Sequence, residues 1–294
     1  MATNTLGGVN LTRISQLTLD SLKTMPIPLR AFTTDFSPDV AQSGNAVTTR
    51  FVTNPTATDF ASAKTTSNST TTARTITLNK YSGVSIGFTD EQMSYTDVKL
   101  MDMFIRPALV ALFEDVMANV QARITAANFA TNTVITAANF TAANVAGLNQ
   151  TMNTAKILSS PRSLIIAPDY ANTLKKDTAL QAAYAYGNNA VITTGQLPPV
   201  YGFTPYEFNG TIPNNSENLT GYALHPQALI IAARPPVMPR NWFGQVANIT
   251  EPDSGLTVQF RDFYDGTEQV TQFCLLYGTG LGVTSNLIRI KSAT

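Results

Sequence analysis

The sequence has little of what many functional sites need: one Cys, one His and one Trp among 294 residues. One Cys cannot form an internal disulfide, and one Cys with one His cannot complete a Cys/His zinc site. Only 13% of the residues are charged, with 19 basic residues balancing 19 acidic ones. A dedicated nucleic-acid binder normally has a basic excess, so this balance argues against one. Low charge with no net charge also favours association between molecules.

Long apolar runs are missing as well. The first 25 residues contain Arg13, Asp20 and Lys23 and do not form the apolar core of a secretory signal peptide. The longest apolar stretches, such as residues 228–233, are too short to cross a bilayer. We therefore expect a protein of the reducing cytoplasm that has no membrane partner.

Neutral polar residues replace the missing charges, since the chain holds 42 Thr and 23 Asn. Residues 54–74 contain seven of these Thr and almost no large apolar side chain. The alternation from Val47 to Phe51 predicts a strand before this segment, and Ile76 and Leu78 predict one after it. A long polar segment between two strands indicates a hairpin arm that projects from the body.

The strongest helix prediction follows a third strand, at residues 84–88. Thr89-Asp90-Glu91-Gln92 matches a capping box, and apolar residues then recur at helical spacing to about Asn128. Pro107 lies inside this pattern, so we expect a kink or a break there. A shorter helix is predicted upstream, over residues 12–23, and stops at Pro26.

The remaining pattern mixes both kinds of element. Residues 125–144 hold two and a half copies of Thr-Ala-Ala-Asn-Phe, interpreted as a local duplication around a loop. The other predictions are a helix over 142–158, a buried strand over 163–167, helices over 168–176 and 178–186, an extended segment from 222 that becomes helical after Pro226, and a hairpin of 256–264 with 268–277. Strands at both ends with helices between them predict an α+β fold instead of repeated βαβ units.

Candidate catalytic groups are few. Gly83-Val84-Ser85-Ile86-Gly87 fits the G-x-S-x-G pattern of serine hydrolases, and His225 is the only histidine that could serve Ser85 as a base. Ser85 lies in an alternating run that predicts a mid-strand position, whereas a nucleophile elbow needs a sharp strand-to-helix turn. His225 before Pro226 is more typical of a packed histidine, and Cys274 of a buried, inert thiol.

Two other groups have simple structural interpretations. Asp262, Asp265 and Glu268 miss the spacing of an EF-hand and indicate a turn with solvated carboxylates. Gly278, Gly280 and Gly282 do not match G-x-G-x-x-G and indicate a strand that another backbone segment approaches closely. We therefore predict no enzymatic activity, no cofactor and no metal. A serine hydrolase using Ser85 and His225 is the remote alternative.

The order of the elements resembles the major capsid proteins of tailed double-stranded DNA bacteriophages, which share the Hong Kong 97 fold. Residues 76–92 look like the return strand of the family's extended loop entering its spine helix, here about 97–128. The stretches that look like later family elements are Ser163-Leu164-Ile165-Ile166-Ala167-Pro168, Gly221-Tyr222-Ala223-Leu224-His225-Pro226-Gln227-Ala228-Leu229 and Leu276-Tyr277-Gly278. Each motif is degenerate, so the resemblance lies in their order across residues 40–290.

The resemblance implies an α+β fold with five parts. These are an N-terminal arm (1–40), an extended hairpin loop (41–90), a peripheral domain with the spine helix (91–160), an axial domain (161–255) and closing strands that return to the peripheral domain (256–294). Because only 40 residues precede the loop, we expect a separate scaffolding protein or none.

The resemblance also implies the function. The chain would self-assemble as pentamers and hexamers into the icosahedral head shell of a tailed phage, enclosing double-stranded DNA non-specifically. Its other partners would be a portal and a scaffolding protein, with assembly in the host cytoplasm and a final place in the virion. Near the loop, Arg50, Lys64, Arg74 and Lys80 are the candidates for pairing with carboxylates of neighbouring subunits. The alternatives are an encapsulin-like shell protein and another virion structural subunit.

Overall fold

The computed structural model describes residues 28–35, 46–52, 57, 71–95, 100–181, 195, 197–210, 212–213, 215, 217–238, 242, 244–250 and 256–293. The strands are β1 (Thr33–Asp35), β2 (Ala46–Val52), β3 (Thr71–Thr77), β4 (Lys80–Thr89), β5 (Asn132–Val134), β6 (Arg162–Ile166), β7 (Phe203–Glu207), β8 (Leu219–Leu224), β9 (Leu229–Arg234), β10 (Gln245–Thr250), β11 (Thr257–Tyr264), β12 (Glu268–Leu281) and β13 (Leu287–Lys291). The helices are α1 (Asp90–Tyr95), α2 (Leu100–Gln121), α3 (Ala142–Thr154), α4 (Pro168–Lys175) and α5 (Thr178–Gln181). This mixture is the predicted α+β pattern.

The larger sheet has six strands arranged around β12. β12 pairs antiparallel with β4 over residues 268–277, with β11 over 269–274 and with β9 over 276–281. β10 extends the sheet beyond β11, and β1 pairs parallel with β9. The predicted hairpin around Asp265-Gly266 is confirmed as the β11–β12 connection. Its second strand is four residues longer than predicted.

The smaller sheet has the strand order β5-β13-β8-β6-β7. All five residues of β6 are buried, which confirms the predicted buried strand. α4 follows β6 directly and begins at Pro168, whose fixed φ suits the first turn of a helix. Because β6 has neighbours on both edges and side chains packed on both faces, its sequence is an uninterrupted apolar run after Ser163.

A separate two-stranded hairpin pairs β2 with β3, with Val47 opposite Ile76 and Thr49 opposite Arg74. Both flanking strands of the predicted arm are therefore confirmed. Most of the Thr-rich segment between them, and the predicted helix over residues 12–23, lie outside the described residues. At its base the hairpin contacts the body through a cluster that joins Val47, Ile76 and Leu78 to Ile230 and Ala232.

The capping box before the long helix is confirmed. The Thr89 backbone N–H donates to Gln92 Oε1 (3.2 Å), and the Gln92 N–H donates to Thr89 Oγ1 (3.3 Å). The cap opens the short helix α1, and α2 begins only at Leu100. Pro107 lies inside the continuous helix α2, so the chain does not break there as predicted, and residues 96–99 lie outside the described part.

Helix α2 ends seven residues before the predicted end at Asn128. The Asn215 side chain donates to the Gln121 and Ile124 carbonyl oxygens (3.0 and 2.7 Å), which another helical turn would otherwise have to satisfy. The predicted apolar stripe is confirmed, since all of its residues are buried: Ile105, Leu109, Leu112, Val116, Val120 and Ile124. This stripe packs in the main core with side chains from both the larger and the smaller sheet.

The predicted helix after Pro226 is wrong. Only a single 3₁₀ turn forms there, at Pro226–Ala228, and the chain continues as β9. β9 lies between β1 and β12, with five of its six residues buried. A strand covered on both faces loses the alternation that would distinguish it from a buried helix, so its short apolar run was ambiguous.

Each copy of the Thr-Ala-Ala-Asn repeat forms the same local turn. The Asn backbone N–H donates to the Thr carbonyl oxygen three residues earlier in all three copies, at 3.2 Å for Asn128, 3.0 Å for Asn139 and 3.0 Å for Asn144. Only the last copy opens a helix, α3, where Thr141 and Asn144 form a capping box. The repeat therefore encodes a turn, as the predicted loop duplication requires, and α3 ends at Thr154 instead of residue 158.

Candidate assembly surfaces

The β2–β3 hairpin has two unlike faces. The inner face carries Val47, Ile76 and the half-buried Phe51, all of which pack towards the body. The outer face carries eight residues that are all exposed: Ala46, Thr48, Arg50, Val52, Thr71, Ala73, Thr75 and Thr77. Nothing in the described part of the subunit covers this face.

Three of the four predicted interface residues lie on or beside the hairpin, and all three are exposed. Arg50 lies on the outer face, Arg74 lies on the inner face opposite Thr49, and Lys80 begins β4. None of the three has an ion-pair partner among the described residues. The fourth, Lys64, lies outside those residues. Arg50 and Arg74 therefore lie on opposite faces of the hairpin, and Lys80 lies beside it at the start of β4.

Carboxylates gather at the opposite end of β4. Thr89 pairs with Glu268, and the Tyr264 hydroxyl donates to Asp90 Oδ2 (2.8 Å) across the β11–β12 turn that contains Asp265. We call Asp90, Glu91, Asp265 and Glu268 the acidic corner. The described part of the chain supplies no ion-pair partner for any of them. The corner is a second charged surface, opposite in sign to the hairpin.

Asp115 on the long helix α2 joins that helix to β4 and β12 of the larger sheet. Ser82 Oγ on β4 and Tyr277 Oη on β12 both donate to Asp115 Oδ2, at 2.6 and 2.8 Å. Asn119, one turn further along α2, donates to Asp115 Oδ1 (3.1 Å) and to Tyr277 Oη (2.6 Å). Burial, together with the bond to Asp115, raises the pKa of Tyr277. Nothing in the local sequence around Asp115 indicated these contacts with β4 and β12.

A buried ion pair lies just beyond the C-terminal end of helix α2. Arg289 on β13 is 2% exposed, pairs with Glu217 and donates from Nε to the Phe129 carbonyl oxygen (2.7 Å). The other carboxylate oxygen of Glu217 accepts from the Ala126 backbone N–H (2.6 Å). Burial lowers the pKa of Arg289. This junction fixes the turn after α2 to the smaller sheet, and nothing in the local sequence around Arg289 indicated it.

The candidate catalytic pair of Ser85 and His225 is not assembled. Ser85 is an exposed residue in the middle of β4, as predicted, and Gln272 Nε2 donates to its hydroxyl (3.3 Å). His225 is 3% exposed at the end of β8 in the other sheet, where its Nδ1 accepts from the Gln227 backbone N–H (3.4 Å). No hydrogen bond joins the two side chains within the described ranges. Burial and the nearby Arg162 guanidinium lower the pKa of His225.

The other candidate groups have structural roles. Cys274 is a buried free thiol in β12, as predicted. Asp262 is not solely solvated, because its Oδ1 accepts from Gln269 Nε2 (2.7 Å) and Thr271 Oγ1 (3.2 Å) across the β11–β12 ladder. Lys175, the last residue of α4, pairs with Glu207 on β7 (2.5 Å). The described residues contain no group of three or more His, Cys, Asp or Glu that could hold a metal ion. They also contain no helix long and apolar enough to cross a bilayer.

Within the described residues, two sheets pack against the long helix α2, and a separate two-stranded hairpin contacts the larger sheet at its base. Solved capsid structures have the same fold. A structure from Mycobacterium phage Che8 aligns with a TM-score of 0.59 and 16% identity, covering 89% of this chain and 90% of that one. The capsid of cyanophage P-SCSP1u aligns at 0.58 and 15%, covering 90% and 87%. The capsid of Ralstonia phage GP4 aligns at 0.54 and 12%, covering 88% and 86%.

The sequence itself matches a family model. The model described as "Phage capsid protein" covers residues 70–271, which is more than half of the chain. The chain therefore belongs to the phage capsid protein family, and its fold is the Hong Kong 97-like fold that the resemblance implied. Among curated proteins, none matches the chain significantly.

Proposed function

We propose that this phage capsid protein is the major shell subunit of a tailed phage and assembles as pentamers and hexamers into a closed icosahedral head. The observation that carries the proposal is the family match together with a hairpin whose outer face is wholly exposed in the single subunit. A two-stranded ribbon is at best marginally stable alone in water. A neighbouring copy would cover the ribbon and stabilise it.

The contact is proposed to join the hairpin of one copy to the acidic corner of the next. Arg50 and Arg74 are the charged residues of β2 and β3, and neither strand carries an acidic one. The acidic corner offers four carboxylates without an ion-pair partner in the described part of the chain. Lys64 and Lys80 would add to the same attraction. Opposite charges of this kind chiefly set the register and the rate of association.

The remaining partners follow from a shell of this kind. The shell would enclose packaged double-stranded DNA without sequence-specific contacts, which agrees with 19 basic residues balancing 19 acidic ones. A portal, a separate scaffolding protein and assembly in the host cytoplasm belong to the same proposal. The role is structural and not enzymatic, in keeping with the mid-strand position of Ser85. Absence of fluorophosphonate labelling would agree with this, whereas labelling lost in Ser85→Ala would contradict it.

Negative-stain microscopy of the purified full chain tests the main proposal. We expect closed shells of one diameter, formed by the chain alone or with the scaffolding protein expressed beside it. Rods, open rings or monomers under all salt and scaffold conditions would contradict it.

Charge variants test the contact itself. Arg50→Glu should strongly reduce shell yield, and adding Asp265→Arg to that variant should restore part of it. Lys156→Glu is the matched control, because Lys156 is exposed and lies on neither proposed surface. Equal yields from Arg50→Glu and Lys156→Glu would contradict the proposed contact.

A further inference from the structure

Three glycines at alternate positions, Gly278 and Gly280 near the end of β12 and Gly282 just after it, lie in close contact with other segments of the chain. A Cβ at Gly278 would overlap the Thr77 carbonyl oxygen and come within 3.1 Å of Leu78 Cα. A Cβ at Gly280 would come within 2.5 Å of Ile76 Cγ1. A Cβ at Gly282 would overlap the Gln227 carbonyl oxygen. The predicted close approach of another backbone is therefore confirmed at Gly278 and Gly282, whereas the neighbour of Gly280 is the Ile76 side chain.

The three positions serve two different regions. Gly278 and Gly280 lie under residues 76–78, which we call the hairpin root, because the chain leaves β3 and enters β4 there. Gly282 lies under the connection between β8 and β9, and its N–H donates to the Ala228 carbonyl oxygen (2.9 Å). We call Gly278 and Gly280 the glycine seat. The glycine seat therefore contacts the root of the hairpin, whereas Gly282 contacts a connection within the body.

The hairpin root is held tightly on this seat. Ile76 is 1% exposed and Leu78 is 6% exposed, and both pack against β9 through Ile230 and Ala232. Two residues after the root, pairing of β4 with β12 begins at Lys80 opposite Tyr277. The root is held by its packing against β9 and by the β4–β12 pairing that follows it. The distance between the root and β12 therefore determines the direction in which the hairpin leaves the body.

We propose that the glycine seat sets the angle of the hairpin and, through it, the geometry with which one subunit meets the next. The second half of this inference rests on the proposed function, in which the hairpin contacts a neighbouring copy. Gly278 is the stricter position because the atoms above it are backbone. Gly280 tolerates a methyl group only if the Ile76 side chain is shortened.

Hydrogen exchange of the unassembled full-length subunit tests the seat without reference to any shell. In Gly278→Ala and Gly280→Ala, amides of β2 and β3 should exchange on the order of tenfold faster while α3 and β6 are unchanged. Gly147→Ala in α3 is the control, because no atom lies within 4 Å of its added Cβ. Unchanged exchange in the hairpin, or equally faster exchange throughout the subunit, would overturn the proposal.

Shell diameter and yield test the consequence for assembly. Gly280→Ala should give fewer shells or shells of altered diameter, and Ile76→Ala in the same chain should restore wild-type shells in part. Gly282→Ala should instead speed exchange in the body. Wild-type shells from both seat variants would overturn the link to assembly. Failure of the unaltered chain to form shells would refute the proposed function, while the exchange experiment would still decide the seat.

Discussion

The hairpin and the body obtain their stability from opposite sources. All eight residues on the outer face of the β2–β3 hairpin are exposed, whereas all five residues of β6 are buried. The body strand is stabilised by apolar area removed from water within its own chain. Among the described residues, the hairpin contacts the body through its inner face alone, so its stability depends more on what else it contacts. A shell subunit can therefore have a folded body and an arm that is completed only on assembly.

The largest predicted effect is a loss of stability in the body. Arg289→Met removes one partner of the buried ion pair and leaves Glu217 and the Phe129 carbonyl oxygen without it. We expect a loss of about 3–5 kcal/mol in the free energy of unfolding, measured by denaturant titration. Lys291→Met on the same strand is the control, since Lys291 is only half-buried. Similar losses from both variants would show that the ion pair has no special role.

The next effect is expected where β4, the strand after the hairpin, contacts helix α2. Asp115→Asn weakens the acceptor shared by Ser82 and Tyr277, and we expect it to lower the free energy of unfolding by about 1–3 kcal/mol. Glu114→Gln, at the exposed neighbouring position, should change it by less than about 0.5 kcal/mol. Denaturant midpoints of the two variants provide the comparison. Equal midpoints would contradict a stabilising role for Asp115.

A smaller effect concerns the pH dependence of the body. Burial lowers the pKa of His225 in the folded state, so the unfolded state takes up the proton first. The stabilisation is fully present above the unfolded value of about 6.5 and is lost as the pH falls below it. His225→Gln should flatten the decline in stability between about pH 6.5 and 5.5. An unchanged slope in that variant would assign the decline to other groups.

The smallest effect on the subunit, but a clear one on assembly, is expected at the hairpin. Val52 is 66% exposed on the outer face, and threonine has nearly the same shape. Val52→Thr should change the unfolding free energy of the subunit by less than about 0.5 kcal/mol. The same variant should raise the protein concentration needed for shell formation, measured by sedimentation. An unchanged assembly threshold would mean that this face is not covered in the shell.

Local patterns predicted the elements that local physics controls. The capping box at Thr89–Gln92, the stripe along α2 and the hairpin turn at Asp265-Gly266 all depend on residues close in sequence. Elements defined by distant partners were missed or misassigned. β9 was predicted as a helix, and no strand was predicted at β7 or β10. The apolar pattern also continued past Gln121, where Asn215, distant in the chain, ends the helix.

Sheet membership also follows contacts that are distant in sequence. β9 and β10 fall within residues 161–255 but pair in the larger sheet, while β13 at the end of the chain pairs in the smaller one. The division into peripheral and axial domains therefore remains a prediction drawn from the resemblance. Of the candidate assembly surfaces, the hairpin cations could be named from sequence. The acidic corner could not, because it forms only when β4 and the β11–β12 turn meet.

The sequence by itself determined the kind of protein: balanced and sparse charge, one Cys, one His and a Thr-rich segment between strands exclude most site chemistry and indicate a subunit that associates. It also specified Gly278, Gly280 and Gly282, because a residue without a side chain is visible in any sequence. Only the tertiary structure decided what those glycines accommodate. Close approach is a property of two segments, and Thr77 and Gly278 are 201 residues apart.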